Sequence, residues 1–290
     1  METKLNYKRT FLIGLAFLSI CSFWQMYDNI IPLILQNTYH LGETMTGAVM
    51  ALDNVLAIFL LPVFGTLSDK VHTKLGRRMP FIVSGTILAV IFMMLLPMID
   101  NAEKARWGTV ESFSNQVIFL AVLFFTLVSM GLYRSPAVAL MPDVTPNHLR
   151  SRANAVINLM GAVGGVYALI MIKVLVGKGE TPDYLPLFAS IAAVMAIAVG
   201  ILVMTIRENK LREEVEKAEA AIAETIEEKA MAEGVEAVGE IEAVGDTGAV
   251  KASDGKKQTG KTEGTKGMPK EVKRSMYFML ASIFLWFTAY

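Results

Sequence analysis

Six runs of apolar residues follow one another along this chain, at roughly 10–35, 45–67, 80–98, 116–141, 153–176 and 184–206, separated by short polar connections. Each comes close to or exceeds the roughly 20 apolar residues that a helix needs to cross a hydrocarbon layer about 30 Å thick. Backbone amides in hydrocarbon must be satisfied within their own segment, so each run predicts a transmembrane helix. The first run follows Lys4, Lys8 and Arg9, as the apolar part of a signal peptide would. It is too long for that, and no small-residue cleavage site follows, so it is expected to be retained as a span.

After residue 206 the pattern changes. From Arg207 to about Glu233 the chain is charged and alanine-rich, with good helix formers and oppositely charged residues four apart, such as Glu213 and Lys217. This predicts a solvated helix leaving the membrane. From about Gly234 to Gly267 large side chains almost vanish, so no core can form and a disordered tether is expected. The tether is acidic at first and basic from Lys251 to Arg274; plain solvation accounts for the basic end, and contact with anionic headgroups is the alternative. A seventh apolar run opens at Ser275 and breaks off at Tyr290. The expected organisation is therefore a six-span bundle at 1–206, a cytoplasmic linker at 207–274 and a seventh span cut short at 275–290, with the remaining half missing. Six spans, a long linker and a new span predict an all-α polytopic membrane protein of six-plus-six design, whose halves are parallel repeats around a central site.

Composition agrees: 53% of residues are hydrophobic and the mean hydropathy is +0.46, too apolar for an ordinary soluble domain. Lys plus Arg and Asp plus Glu balance at 27 each, so bulk charge points to no nucleic-acid partner, and what matters is where charges sit. Lys4, Lys8 and Arg9 precede the first run; Lys70, Lys74, Arg77 and Arg78 join the second and third; Arg150 and Arg152 join the fourth and fifth. The opposite connections carry only Lys104, Arg106 and Lys178. Basic residues stay on the inner side, which predicts a cytoplasmic amino terminus in the cell membrane. The single cysteine, Cys21, excludes disulfides and cysteine-based metal sites, and no spacing of metal ligands, phosphate-binding loop or nucleophile motif is present; no enzyme, metal or cofactor is expected.

The most informative connection reads Pro62-Val-Phe-Gly65-Thr-Leu-Ser68-Asp69-Lys70-Val-His-Thr-Lys74-Leu-Gly76-Arg77-Arg78-Met-Pro80-Phe-Ile. Gly65 is expected to let a neighbouring helix approach closely. Asp69 can cap a helix end or pair with Arg77 or Arg78 across a turn closed by Gly76, a charged latch able to hold one conformation. This series resembles the signature loop of the major facilitator superfamily, and its Ser-Asp-Lys followed by Gly-Arg-Arg before Pro-Phe-Ile is most similar to the sucrose/proton symporters and the glycoside–cation symporters related to them. Ala139-Leu-Met-Pro-Asp143, Arg150-Ser-Arg152-Ala-Asn154-Ala and Gly161-Ala-Val-Gly164 resemble the same group.

The resemblance, which covers residues 10–206, implies two six-helix bundles, alternating access and a cavity lined by spans one, two, four and five. It also implies that Gly65, Asp69, Gly76, Arg77, Arg78, Asp143, Arg150 and Arg152 form a gate and do not touch sugar. Two departures stand out. Where sucrose-type proteins have an arginine late in span four this chain has Val138, with Arg134 about one turn earlier. Where melibiose-type relatives have a pair of acids in span two it has Asp53 alone, which favours H+ over Na+ as coupling cation.

Ionisable groups inside spans cost at least about 2.5–3.5 kcal/mol at the helix centre, so each asks for a reason. Trp24 and Asp28 are four apart on one helical face with Tyr27 adjacent, a ring for a sugar's C–H face beside acceptors for its hydroxyls. Asp53, followed by Asn54, lies about 12 Å into span two. We therefore expect Trp24, Tyr27, Asp28, Asn54 and Arg134 to bind substrate, and Asp53 or Asp28 to take the coupling proton opposite Arg134. Lys173 is expected to snorkel, Gly161, Gly164 and Gly165 to allow close packing, and His40 to sit in an outer loop that carries a histidine in sucrose-type proteins. The expected partners are thus a sugar, a cation and the bilayer. Two other readings share parts of this pattern: an exporter of drugs or organic ions, with a more apolar cavity, and a six-span scaffold whose charged helix is the working part.

Overall fold

The computed structural model describes residues 5–71, 73, 75–105, 113–177 and 182–232, and in them the chain is all helix, with no strand. In order, α1 is Tyr7–Asn37, α2 Glu43–Met50, α3 Leu52–Lys70, α4 Met79–Lys104, α5 Phe113–Asp143, α6 Arg150–Leu175, α7 Leu185–Thr205 and α8 Glu208–Ala232. A 3₁₀ turn at Asn147–Leu149 leads into α6. The second span is the pair α2 and α3, with the helix interrupted only at Ala51. Six helical stretches are long and apolar enough to cross a membrane, and they run up and down through the bundle. The expected cytoplasmic tether and the seventh run, like Lys4, Lys74, Arg106 and Lys178, lie outside the described residues.

The helices outrun the apolar stretches because their polar ends are held locally. The Asn6 side chain accepts the Arg9 amide at 3.2 Å, capping α1 four residues before the apolar run that opens at residue 10. Helix α4 continues past Met98 to Lys104 because Asp100 and Lys104, one turn apart, form an ion pair of 2.6 Å. Asp183 caps α7, accepting the Leu185 amide at 2.9 Å just before Pro186.

Helix α1 is the spine. Some 56% of its most apolar stretch is buried against other helices, whereas for the span Glu43–Lys70 the figure is 0%. In a bilayer lipid tails are as apolar as leucine, so helices associate through close packing and interhelical hydrogen bonds. Both are present. A side chain at Gly164 of α6 would collide with the Leu18 carbonyl of α1, and beside it the Ser22 hydroxyl donates to the Gly164 carbonyl at 2.9 Å. The buried Tyr133 hydroxyl of α5 shares a 2.6 Å hydrogen bond with Ser19 of α1. Gly85 lets α4 lie directly on the backbone of α5 at Tyr133. Of the three expected packing glycines in α6, Gly161 meets Cys21, but Gly165 has room for a methyl group. The outside of the bundle is apolar, with Ile58, Phe59, Val174 and Met204 at least two-thirds exposed, a surface suited to hydrocarbon and not to water.

Candidate functional site

Part-way along the bundle α1, α3 and α5 enclose an open recess. Trp24 comes from α1, Asp53, Leu56, Ala57, Leu60 and Leu61 from α3, and Leu127, Gly131 and Arg134 from α5. The spacings of four and seven residues from 53 to 57 and 60, and from 127 to 131 and 134, place one stripe of each helix on it. The Arg134 guanidinium lies over the Trp24 ring, 5.5 Å from its centroid. Phe23 and Tyr27 stand edge-on to that ring, each with centroids 5.4 Å away, and fix its orientation. Asp53 is in the first turn of α3, where the helix dipole favours a negative charge.

What distinguishes this recess is what its polar atoms lack. Trp24 Nε1 and Asp53 Oδ1 on its lining, and Tyr27 Oη behind Trp24, are buried, and among the described residues none has a hydrogen-bond partner. Buried polar groups are satisfied in the great majority of cases, so orphans around a recess mark groups available to a ligand or to water. Asp53 and Arg134 line the same recess yet form no ion pair within 4 Å among the described residues.

The residues expected to bind substrate thus divide. Trp24 and Arg134 meet with Asp53 on the recess. Tyr27 is 1% exposed, packed behind Trp24, and does not line it. Asp28 and Asn54 are exposed and also stand off it, Asp28 one turn along α1 and Asn54 one step around α3.

At the end of the bundle where α3 meets α4, charges are densely paired. Arg78, 6% exposed, donates from Nε to Asp143 at 2.7 Å and from Nη1 to Ser68 at 2.9 Å, and its Nη2 pairs with Asp69 at 2.8 Å. Arg77 donates to Asp143 at 2.8 Å and stands 3.7 Å from Asp69. Burial works against the Arg77 charge, but the Asp143 hydrogen bond and charge, with Asp69 and Glu208 behind them, outweigh it and raise the guanidinium pKa above its ordinary value.

Beneath this latch sits Glu208, the first residue of α8, with 0% of its surface exposed. Its carboxylate accepts the amides of Arg77 at 2.9 Å, Arg78 at 2.9 and 3.0 Å and Met79 at 3.1 Å, which are the free N–H groups at the start of α4. Gly76, at φ +129°, closes the turn, and a side chain there would run into Glu208. Arg150 caps the end of α5, donating to the Pro142 carbonyl at 2.9 Å and the Thr145 carbonyl at 3.3 Å.

Two residues expected in the gate stand outside its network of ion pairs. A side chain at Gly65 would meet only Ser135 Oγ, at 3.4 Å, an ordinary contact, so close helix approach does not require glycine there. Arg152 is exposed on the first turn of α6 and joins no ion pair among the described residues.

Helix α8 itself is not simply solvated. Leu211 and Val215 are buried on the same face as Glu208, and Glu214 pairs with Arg9 of α1 at 3.2 Å. Glu219 accepts the Asn147 amide at 3.1 Å, and Asn209 donates to the Thr73 carbonyl at 3.0 Å. The helix straps the start of α1, the α3–α4 loop and the α5–α6 turn together.

The far end has its own buried charge, which the sequence reading did not single out. Asp100, 0% exposed, accepts from Thr38 at 2.7 Å and from Lys104 at 2.6 Å. Lys104 also donates to the Pro182 carbonyl at 2.6 Å and lies over the Tyr184 ring. Glu103 accepts from Asn115 nearby. An acid just past the end of an apolar run, with a lysine one turn on, is the signal that marked it. His40 follows at φ +50° in the turn between α1 and α2, and Lys173 is exposed near the end of α6.

Six spans, a charged latch between α3, α4 and α5, and a largely apolar recess that holds Asp53 and Arg134 between three of the spans define a multi-pass membrane protein with buried charges inside its bundle. The family model described as Major Facilitator Superfamily matches residues 12–290, and the chain belongs to that superfamily. It is similar to the sucrose transport protein SUT3 of Oryza sativa subsp. japonica, 26% identical over 137 residues, 44% of this chain and 27% of that protein. It is similar to the sucrose transport protein SUC4 of Arabidopsis thaliana, 34% identical over 116 residues, 38% of this chain and 22% of the other. An uncharacterized symporter of Synechocystis sp. is 24% identical over 144 residues, 48% of this chain and 25% of its own. The matched stretch spans about a quarter of the length of these relatives.

Proposed function

We propose that this chain forms one half of a secondary transporter that moves a sugar, a glycoside of di- or oligosaccharide size, together with a cation by alternating access. The observation that carries this reading is the meeting of the Trp24 ring, the Asp53 carboxylate and the Arg134 guanidinium on one recess with unsatisfied polar atoms. A sugar offers a C–H face that stacks on an aromatic ring and hydroxyls that both donate and accept. The printed names of two of the relatives, which speak of sucrose transport, support the same class.

H+ is the cation we favour over Na+. A proton needs one carboxylate, and Asp53 is the acid on the recess. Asp28, in Coulombic reach of Asp53, is a second stop for it. Asp69, Gly76, Arg77, Arg78, Asp143 and Arg150 act as a gate, joined by Gly65 as part of the α3 face and by Arg152 beside it; Glu208 belongs with them. The gate faces the cytoplasm, as the excess of Lys and Arg in its loops supports. Residues 1–206 are then the bundle, 207–274 a linker and 275–290 the opening of a seventh span in the cell membrane.

The test is uptake of sucrose and related glycosides into vesicles containing the full-length carrier. Entry should accelerate with an inward proton gradient and stop when the gradient is collapsed; uptake indifferent to the gradient overturns the proton-coupled reading. One observation favours a second reading: most of the recess lining, including Leu56, Leu60, Leu61 and Leu127, is apolar. An exporter of drugs or organic ions would be stabilised against heat by apolar cations and not by sugars, because a ligand raises stability by mass action.

A further inference from the structure

We propose that Asp53 is the clasp of a broken helix: its carboxylate holds the interruption at Ala51, so that the charge on this acid sets the angle of α2, the outer part of the second span. The coupling of that motion to transport rests on the proton reading; the clasp itself does not.

The inference starts from a break without a breaker. Sharp interruptions of helices occur at proline, at glycine or serine pairs, at bulges, or where a side chain intrudes on the hydrogen-bond ladder. Ala51 lies in Val49-Met-Ala-Leu52, and alanine, leucine and methionine are among the best helix formers. Yet α2 ends at Met50 and α3 starts afresh at Leu52. A new start leaves the first amides, here those of Leu52, Asp53 and Asn54, without carbonyls one turn back, and Ala51 at the cap position has no side chain to hold them. The Asp53 carboxylate lies beside its own amide and that of Asn54. An aspartate side chain competes with the ladder for such amides, and the positive end of the α3 dipole adds to the attraction while the acid is ionised. Protonation removes the charge and with it the cause of the break. The other groups that face Asp53 are Arg134 from α5 and Asp28 and the Tyr27 hydroxyl from α1.

Helix α2 is free to follow. Thr46 is its one buried residue, and among the described residues the Thr46 hydroxyl has no hydrogen-bond partner. The network at Asp100 fastens the outer ends of α1, α4 and α7 through Thr38, Lys104 and the Pro182 carbonyl, none of them on α2. The latch fastens the opposite end of α3 through Ser68 and Asp69. The second span is thus anchored on one side of the break and loose on the other, and Asp53, two residues past the break, is where the recess begins along α3. On this account Asp53 is a positioning residue for α2.

The experiment reads the angle as a distance. Spin labels on Thr44→Cys of α2 and Ala102→Cys of α4, both exposed, are placed in a Cys21→Ser background of the full-length carrier and measured by double electron–electron resonance. At about pH 8, well above the ordinary aspartate range, Asp53→Asn should change the ratio of two label distances about two- to fivefold, the range of a helix-end charge. Asp53→Glu keeps the charge and should keep the starting ratio. Adding Ala51→Asn to Asp53→Asn supplies a neutral cap and should restore it. An unchanged ratio in Asp53→Asn, the same change in Asp53→Glu, or no recovery with Ala51→Asn overturns the clasp. Where Asp53→Asn does not fold, acidification to about pH 4 decides: the ratio should move with native Ala51 and stay fixed in Ala51→Asn, and equal movement in both overturns the clasp. Sucrose uptake by the same protein separates the two ideas. Uptake indifferent to the proton gradient, with the ratio moving as stated, sinks the proton-coupled reading and leaves the clasp; gradient-driven uptake with a fixed ratio sinks the clasp alone.

Discussion

The latch at the start of α4 and the recess among α1, α3 and α5 are both built from carboxylates and arginines, some 16 residues or about 24 Å apart along α3. In the latch nearly every buried polar atom is matched: Asp143 holds two guanidinium groups, Arg78 holds three partners, and Glu208 takes three amides. Arg77 Nε is the exception. In the recess the reverse holds, with Trp24 Nε1 and Asp53 Oδ1 buried and unmatched and Arg134 resting on a ring. Saturated charges fix a conformation; unsaturated ones wait for something to complete them. The same residue types thus serve opposite ends, and the number of unmade hydrogen bonds tells them apart.

That contrast can be broken by substitution. The largest effect is expected at Arg78, where Arg78→Ala leaves Asp143 and Ser68 under-satisfied in a buried network and should cost about 3–5 kcal/mol. Thermal unfolding in detergent checks it, and a loss below that of an exposed charge would show that the latch is not a coupled unit. Next comes Gly76→Ala, which forces a side chain into the positive φ region and against Glu208, at a cost of about 1–3 kcal/mol. Tyr133→Phe removes the hydroxyl bonded to Ser19 and should cost about 1 kcal/mol.

Asp53→Asn should sharpen the comparison from the other side. It removes no hydrogen bond from Oδ1, so stability should stay within about 0.5 kcal/mol of wild type, while gradient-driven uptake in vesicles is lost. The smallest effect is Gly65→Ala, which meets only Ser135 Oγ at 3.4 Å and gains helix propensity of at most about 1 kcal/mol; its unfolding temperature should not fall.

Much of this was legible in the residues. The six spans follow from apolar runs whose length matches a bilayer, and the pairing of Asp69 with Arg77 and Arg78 follows from opposite charges joined by a short turn with a glycine. Trp24, Asp53 and Arg134 could be picked out because ionisable or amphipathic groups are costly in spans. What escaped is what depends on rotation and on distance in the chain. Asn54 differs from Asp53 by about 100° around the helix, enough to take it off the recess, and hydropathy does not report that angle. Asp28 shares a face with Trp24 but lies one turn beyond the recess. Glu208 was hidden for another reason: in a run such as Glu208-Asn-Lys-Leu-Arg-Glu-Glu one buried carboxylate looks like any solvated one. Its partners are about 130 residues away, and only the packed bundle brings them within 3 Å.

Glu208 also sets how far a mechanical load could travel into the bundle. Because the chain leaving α7 is fastened within three residues to the amides that begin α4, a pull on the polypeptide beyond α8 is taken up in turn by the contacts of α8 with the α5–α6 turn, α1 and α4 before it reaches α7.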